Sequence, residues 1–404
     1  MERNDNLNMK EISRIAAAVA PSATLAVDSL AKQMKADGLD VVGFGTGEPD
    51  FDTPEHIRAA GIAAINNGKT RYTPAAGIPE LKKAAADRIA ADLGVTYAPS
   101  EIVVASGAKH SIFAALMTLC NPEDEVIIPA PYWVTYTEGV KLTGATPVTI
   151  RAEEANGFKI TPAQLEAAIT PKTKLFLLNN PSNPTGMLYN REELRALADV
   201  CVKHDLYIIA DEIYYSLVYD NREFVSIAAL GEDVKERTIL INGISKSYAM
   251  TGWRIGYSAS SAELAKVMSS YLSHSTHAPS TISQYAAVEA LAGPQDTVED
   301  MRKVFEQRRN YIVERINSID GISCIMPEGA FYVMINITKQ IGRTLGGRVI
   351  RDGDDFALAL LEKGLVALVS CSAFGDPNFV RMTYAASMEN ITEGLDRIER
   401  FLKD

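Results

Sequence analysis

The sequence predicts an α/β protein, in which a large unit built on a mostly parallel central sheet flanked by helices is joined to a smaller α+β unit. Two observations predict it. Short, continuous apolar and β-branched runs alternate with segments of helical period through most of the chain, which is the pattern of strands buried on both faces between helices. After about residue 295 this alternation stops, and one long charged helix leads into new strands. The chain has 404 residues, 47% hydrophobic and 23% charged. That is enough for two units with sizeable cores.

In chain order, the segment up to about Leu39 reads as helical without a strand partner nearby, and it is expected to pack with the smaller unit. Strands are expected over 102–104, 125–128, 174–178, 207–210 and 238–241. Helices are expected over 109–119, 192–204 and 262–271. A long amphipathic helix over 298–318 precedes the run 329–335, which opens the smaller unit. The resulting division is 45–295 for the large unit, and 1–44 together with 296–404 for the small one.

Charge and cysteine content exclude several functions. Lys and Arg total 40 against 51 Asp and Glu, a net charge of −11. A polyanionic nucleic-acid partner or an anionic membrane surface is therefore not expected. The apolar stretch 15–27 is broken by Pro21 and is too short to cross a bilayer. No signal-peptide core precedes it. Cys120, Cys201, Cys324 and Cys371 have no C-x-x-C spacing, so neither a zinc site nor a disulfide framework is expected, and a reducing cytoplasm is.

The chemistry is concentrated in one run, G-I-S-K-S-Y-A-M-T-G-W-R-I-G, from Gly243 to Gly256. Lys246 stands there among small residues, where a bulky group can dock. A buried lysine amine loses its proton easily and becomes a nucleophile toward aldehydes. Arg254, eight positions on, suits a phosphate. Together they are what is needed to hold pyridoxal 5'-phosphate as a Schiff base. Alone, such a lysine would be read as a surface residue; its companions change that reading.

Those companions follow predicted strands, where ligands bind in such sheets. Ser106-Gly107-Ala108-Lys109 opens a helix and offers backbone N–H groups to a phosphate. The turn Asn179-Asn180-Pro181-Ser182-Asn183-Pro184-Thr185-Gly186 follows another strand, and one of its X-Pro bonds is a candidate for the cis form. Asp211 ends an apolar strand and can pair with a pyridinium nitrogen. Tyr214 and Asn183 can donate to a phenolate oxygen. Arg381 is a lone guanidinium in an apolar strand and suits a carboxylate. Each has a plain structural alternative, such as a turn, a helix cap or an ion pair, but all of them in this order are not explained that way.

These residues resemble the class I aminotransferases of pyridoxal-phosphate fold type I, in the aspartate and aspartate/prephenate group. The resemblance runs from about Ser13 to Leu402. It is carried by P-S-A-T at Pro21, G-E-P-D-F-D-T-P at Gly47, R-Y-T-P-A-A-G-I-P-E-L at Arg71, S-G-A-K at Ser106 and P-Y-W-V at Pro131. It continues in N-N-P-S-N-P-T-G at Asn179, D-E-I-Y at Asp211, the lysine run and F-V-R-M-T-Y-A at Phe379.

The resemblance implies that Lys246 holds the cofactor and shuttles the substrate proton, that Asp211 pairs with the ring nitrogen, and that Tyr214 and Asn183 bind the ring oxygen. It implies that Trp133 stacks on the ring and that Gly107, Ala108, Lys109 and Arg254 line the phosphate end. Tyr72 would reach the phosphate of the neighbouring subunit, so a homodimer with shared sites is implied. Arg381 would clamp the substrate α-carboxylate, near Gly47 and Asn183, while Lys109 and Trp133 also border the substrate. The implied reaction is ping-pong exchange between an amino acid and a 2-oxo acid, with aspartate and 2-oxoglutarate as the favoured pair.

Three positions differ from the family. Cys371 stands where a glycine is usual, before the Phe374-Gly375 turn. Ala20 stands where prephenate users tend to carry a basic residue. His277 and Ala278 occupy a loop that usually holds small polar residues. An aromatic or prephenate aminotransferase, or a C–S lyase, would share the cofactor residues and differ in the pocket. A nucleotide-binding oxidoreductase lacks its G-x-G-x-x-G here, and a non-catalytic regulator would need a DNA-binding segment.

Overall fold

The structure, a computed structural model, describes residues 10–21 and 23–403. Its centre is a seven-stranded sheet of β1 (Ile102–Ala105), β2 (Glu125–Ala130), β3 (Thr146–Arg151), β4 (Thr173–Asn179), β5 (Tyr207–Asp211), β6 (Thr238–Gly243) and β7 (Gly256–Ala259). Their order across the sheet is β1-β7-β6-β5-β4-β2-β3. All neighbours are parallel except β7, which runs antiparallel to both β1 and β6. The sheet is thus an α/β sheet with one reversed strand, covered by helices on both faces.

The inner strands bury nearly every side chain, which explains their unbroken apolar runs. β3 is an edge strand and is half exposed. The helix α1 (Ala108–Leu119) starts one residue after Gly107, whose φ of +88° makes the turn from β1. The other predicted helices appear as Arg191–Lys203 and Ala262–His274. The helix over 191–203 is capped by Asn190, whose side chain accepts from the Glu193 N–H, while Glu193 reaches back to the Asn190 N–H.

The long helix α2 (Asp296–Ser318) leads to a three-stranded antiparallel sheet of β8 (Tyr332–Asn336), β9 (Val369–Ser370) and β10 (Phe379–Thr383), in the order β9-β10-β8. Val42–Gly43 pairs in parallel with Val366–Ala367. The helix Ala23–Ala36 packs through Val27, Ala31 and Met34 on Leu361, Leu365 and Ala367. Residues before it lie elsewhere: the Ala20 N–H donates to Glu138 at 2.9 Å, beside the helix Thr135–Leu142. Residues 14–20 therefore lean on the helix Thr135–Leu142 of the large sheet.

The core around α2 also takes in Ile213, Tyr214, Leu217 and Tyr219, which follow β5. Arg309 on α2 is buried and forms a two-pronged pair with Asp220, at 2.8 and 2.6 Å. The segment after the central strand is thus fastened to the C-terminal half of the chain. At Cys371 φ is −88°, a conformation open to any residue. Gly375, at φ +94°, takes the left-handed position of that turn, and the cysteine side chain fills an apolar cluster with Phe374 and Phe379. Cysteine in place of glycine therefore leaves the turn unstrained.

Gly256 is where the sheet meets α1. A Cβ there would lie 2.2 Å from the Ala108 backbone nitrogen. Gly256→Ala must push α1 away from β7, so thermal unfolding should show a loss of about 1–3 kcal/mol, the range for overpacking.

Candidate active site

One cavity of about 400 Å³ opens at the carboxyl ends of the central strands, between the large sheet and β8 to β10. Its wall brings together Gly47, Ala108, Lys109, Trp133, Asn183, Asp211, Tyr214, Lys246, Arg254 and Arg381. Gly107 sits just behind the wall. Tyr72 does not line the cavity of its own chain; it is 95% exposed.

Asp211 is the last residue of β5 and is 3% exposed. Its Oδ2 accepts from the Tyr136 hydroxyl at 2.6 Å, and its Oδ1 accepts from the Ile213 N–H at 3.3 Å. Burial pushes its carboxyl up to about 6, while Tyr136, the Ile213 N–H and the Lys246 charge pull the other way. It is therefore ionised at neutral pH, inside a site that favours a cation next to it.

Lys246 follows β6 in a loop tied down at several points. Thr53 donates to the Ala249 carbonyl at 2.7 Å, Trp253 Nε1 donates to Thr53 at 3.1 Å, and Thr251 donates to Glu48 at 2.8 Å. The Lys246 amine donates to the Gly47 carbonyl. Burial lowers its pKa to about 8, partly offset by Glu48 and helped by Arg381 and Arg254. An amine in this range is available both as a nucleophile and as a proton carrier near neutrality.

The end of the cavity beside α1 is built from two chain segments. Arg254, itself at φ +58°, donates to the Thr251 carbonyl at 2.9 Å and turns toward Gly107. A Cβ on Gly107 would lie 2.5 Å from the Arg254 guanidinium. The Lys109 ammonium sits 4.9 Å from the Trp133 ring centre, and burial followed by the Arg254 charge lowers its pKa. Among the described residues, neither Lys109 nor Arg254 has a carboxylate within ion-pair distance. Two cations and the N-terminus of α1 converge on one concave spot, which is an anion site.

Arg381 lies on β10, 2% exposed. It donates to Asn183 Oδ1 at 3.0 Å and to the Gly45 carbonyl at 2.8 Å, and its Nε is buried without a partner. No carboxylate pairs with it among the described residues. A buried guanidinium with donors to spare is costly unless an anion completes it. Asn183 is placed by Asn179, whose Oδ1 accepts the Asn183 N–H at 2.7 Å and whose Nδ2 donates to the Asp211 carbonyl at 2.9 Å. The bonds before Pro181 and Pro184 in this turn are cis, as is the one before Pro131.

The wall residues not among the candidates read from sequence include Tyr136, Tyr332, Glu48 and Thr251. Tyr136 lies three residues beyond Trp133 on the following helix, and that spacing was the available signal. Tyr332 sits in an otherwise apolar strand, which hid it. His277 gains a reading: its Nε2 lies 3.0 Å from the Thr73 carbonyl and its ring meets the Tyr72 ring edge-on at 5.6 Å, so it braces the exposed Tyr72 loop.

The chain matches the family described as aminotransferase class I and II over residues 39–398. It belongs to that family. The aspartate aminotransferase of Geobacillus stearothermophilus is 49% identical to it, over 98% of this chain and 99% of that one. The aspartate/prephenate aminotransferase of Cereibacter sphaeroides is 48% identical, over 97% and 99%. The solved structure of the aspartate aminotransferase from Rhizobium meliloti superposes with a TM-score of 0.94 at 42% identity, covering 98% of this chain and 99% of that one. That of Thermus thermophilus with maleate gives 0.92 at 39% identity, over 97% and 100%. The α/β architecture of this aminotransferase is thus the one its sequence predicts.

The lowered pKa of Lys246 sets a stability test on the cofactor-free chain. An ammonium whose folded pKa is below its ordinary value destabilises the fold fully below about 8, and the penalty disappears as pH rises to the unfolded value of 10.5. Lys246→Met should therefore raise the melting temperature at pH 7, and the gain should shrink between pH 8 and 10.5.

Proposed function

We propose that this aminotransferase uses pyridoxal 5'-phosphate bound in the cavity and transfers the amino group of aspartate to 2-oxoglutarate. The observation that carries the reading is the convergence of the Lys246 amine, the Asp211 carboxylate, the unpartnered Arg381 guanidinium and a two-cation anion site in a single cavity. The residues fit the cofactor. The anion site suits its phosphate, the lack of a Cβ on Gly107 lets the Arg254 guanidinium lie against the start of α1, and Asp211 is ionised to meet a protonated ring nitrogen. Bound there, pyridoxal phosphate supplies an electron-withdrawing ring for removal of an α-proton.

The chain's own residues do the rest. Lys246 holds the cofactor through its amine and, once released, carries a proton at Nζ. Tyr214 and Asn183 orient the ring oxygen, and Trp133 covers the ring face. Arg381 takes the substrate α-carboxylate as a planar fork, which fixes the Cα–H bond toward Lys246. With Arg254 and the backbone N–H groups of α1 already on the phosphate, the Lys109 head, which has no carboxylate partner among the described residues, is free to turn to the distal carboxylate of an acidic substrate. The relatives' names support aspartate. Ala20, uncharged where a basic residue would assist prephenate, supports it over that alternative.

The exposed Tyr72 would complete the phosphate site of a second copy, so the working enzyme is a homodimer in this reading. The free thiols of all four cysteines accord with a cytoplasmic enzyme. The pairing of Val42–Gly43 with Val366–Ala367 supports a boundary near residue 45, with 1–44 joining 296–404 as the small domain and 45–295 as the large one, except that residues 14–20 lie against the large unit's helix Thr135–Leu142.

Borohydride treatment of the yellow protein should fix the cofactor to the peptide containing Lys246, and Lys246→Ala should lose turnover by several orders of magnitude. Labelling of another peptide would remove the assignment. Lys109→Ala should cost aspartate and glutamate about 1.5–3 kcal/mol in kcat/KM, the range for a hydrogen bond to a charged group, with aromatic and aliphatic donors nearly unaffected. An equal loss for all donors would instead place Lys109 on the phosphate.

A further inference from the structure

Tyr332 opens β8 and is 1% exposed. It pairs across the ladder with Thr383 on β10, so Arg381, two residues away on the same face of β10, is its diagonal neighbour. The Arg381 guanidinium lies over the Tyr332 ring, 4.4 Å from its centre. The Tyr332 hydroxyl reaches the Tyr214 hydroxyl at 3.0 Å, and this is its one hydrogen bond among the described residues. The Gly47 backbone closes over the same oxygen, since a Cβ on Gly47 would stand 2.6 Å from it. Gly47 also accepts the Lys246 amine.

Phenylalanine would fill this volume without a buried polar atom. A hydroxyl kept here must be worth its desolvation, and Tyr214 is the group that returns it. Tyr214 has one proton to give. When that proton turns to a ligand in the cavity, the Tyr214 oxygen is left to accept, and Tyr332 is the donor in reach. Two hydroxyls in series polarise one another, so the outer one strengthens the inner one.

We propose that Tyr332 is a positioning residue with two separable parts: its hydroxyl donates to Tyr214 and strengthens that residue's hydrogen bond to the cofactor ring oxygen, while its ring supports Arg381 in the orientation that receives the substrate carboxylate. The inference rests on the pyridoxal-phosphate reading above. It makes Tyr332 the physical link between the carboxylate clamp and the cofactor-binding hydroxyl. The charged and titratable groups facing this pair are Asp211 at the end of β5, Lys246 after β6, Arg381 on β10, and Glu48 and Arg254 at the cavity mouth.

The test compares Tyr332→Phe, Tyr332→Leu, Tyr214→Phe and the Tyr214→Phe/Tyr332→Phe double variant in the cofactor-loaded enzyme. The first readout is the pH midpoint at which the visible absorbance of the lysine-bound cofactor changes. A donor to the ring oxygen drains negative charge that would otherwise hold a proton on the neighbouring nitrogen, so weakening that donor raises the midpoint. Tyr332→Phe should raise it by about 0.3–1 unit, a modest cooperative effect, with KM for aspartate unchanged because the ring remains. Tyr332→Leu should raise the midpoint and also raise KM about tenfold.

On the Tyr214→Phe background, Tyr332→Phe should shift nothing further, because the inner hydroxyl is already gone. An unchanged or lowered midpoint in Tyr332→Phe, or the same shift with and without Tyr214, overturns the inference. A wild-type protein with no absorbance titration at all would instead overturn the cofactor reading, so the two failures are distinct. Melting temperatures separate a positioning role from a packing one, since a variant that only loosens the core would lower stability without moving the midpoint.

Discussion

Asp211 closes the central strand of the sheet with a carboxylate that water hardly reaches, and the Tyr136 hydroxyl holds it at 2.6 Å. The rest of the cavity is arranged with reference to that charge. β5 is fourth of the seven strands, so its end lies at the middle of the sheet's carboxyl edge. The next residue, Glu212, is also buried, but burial pushes its carboxyl up to about 8, against the pull of Ser226 and the Ile227 N–H. Burial therefore raises Glu212 further than Asp211, and the acid less opposed to ionisation borders the cavity. The backbone around Asp211 also sets its neighbours: its carbonyl takes donors from Asn179 and from the Asn180 N–H, which fixes the turn that carries Asn183.

From that point the site is a contest between burial and charge. Lys246 and Arg381 are cations that the fold brings into contact with aromatic rings rather than carboxylates. Arg381 is left with an unpaired buried Nε. Interactions unsatisfied in the free protein are those a bound anion can complete, so the cavity trades stability for readiness to bind. The loop around Lys246 is held by hydroxyl and indole contacts to Glu48 and Thr53, so the lysine is presented from a stiff support.

Much of this was legible in the sequence because burial on both faces writes itself as unbroken apolar runs. β2, β4, β5 and β6 are of that kind. β3 and β7 were not singled out. β3 is an edge strand with partial exposure and a proline, and β7 is only four residues, three of them small, whose strand character comes from its neighbours. In the site, Lys246, Asp211 and Arg381 stood out as charges embedded in small or apolar surroundings. Tyr136 and Tyr332 did not, because a buried tyrosine reads as core until its hydroxyl partner is seen. The left-handed backbone of Arg254 and the bracing of Tyr72 by His277 depend on contacts between distant segments, which spacing does not encode.

The reversed strand β7 has a consequence for how the molecule comes into being. It is the last strand of the large sheet in the chain, yet it lies between the first, β1, and β6. The anion-binding corner is formed by the two residues that this insertion brings face to face, Gly107 after β1 and Arg254 before β7. A growing polypeptide therefore carries half of that corner for some 150 residues before the other half exists, and the long-range pairing that closes the sheet is the same event that creates the cradle. The site and the completed sheet arise together, so competence to bind reports that the chain has threaded its final strand between β1 and β6.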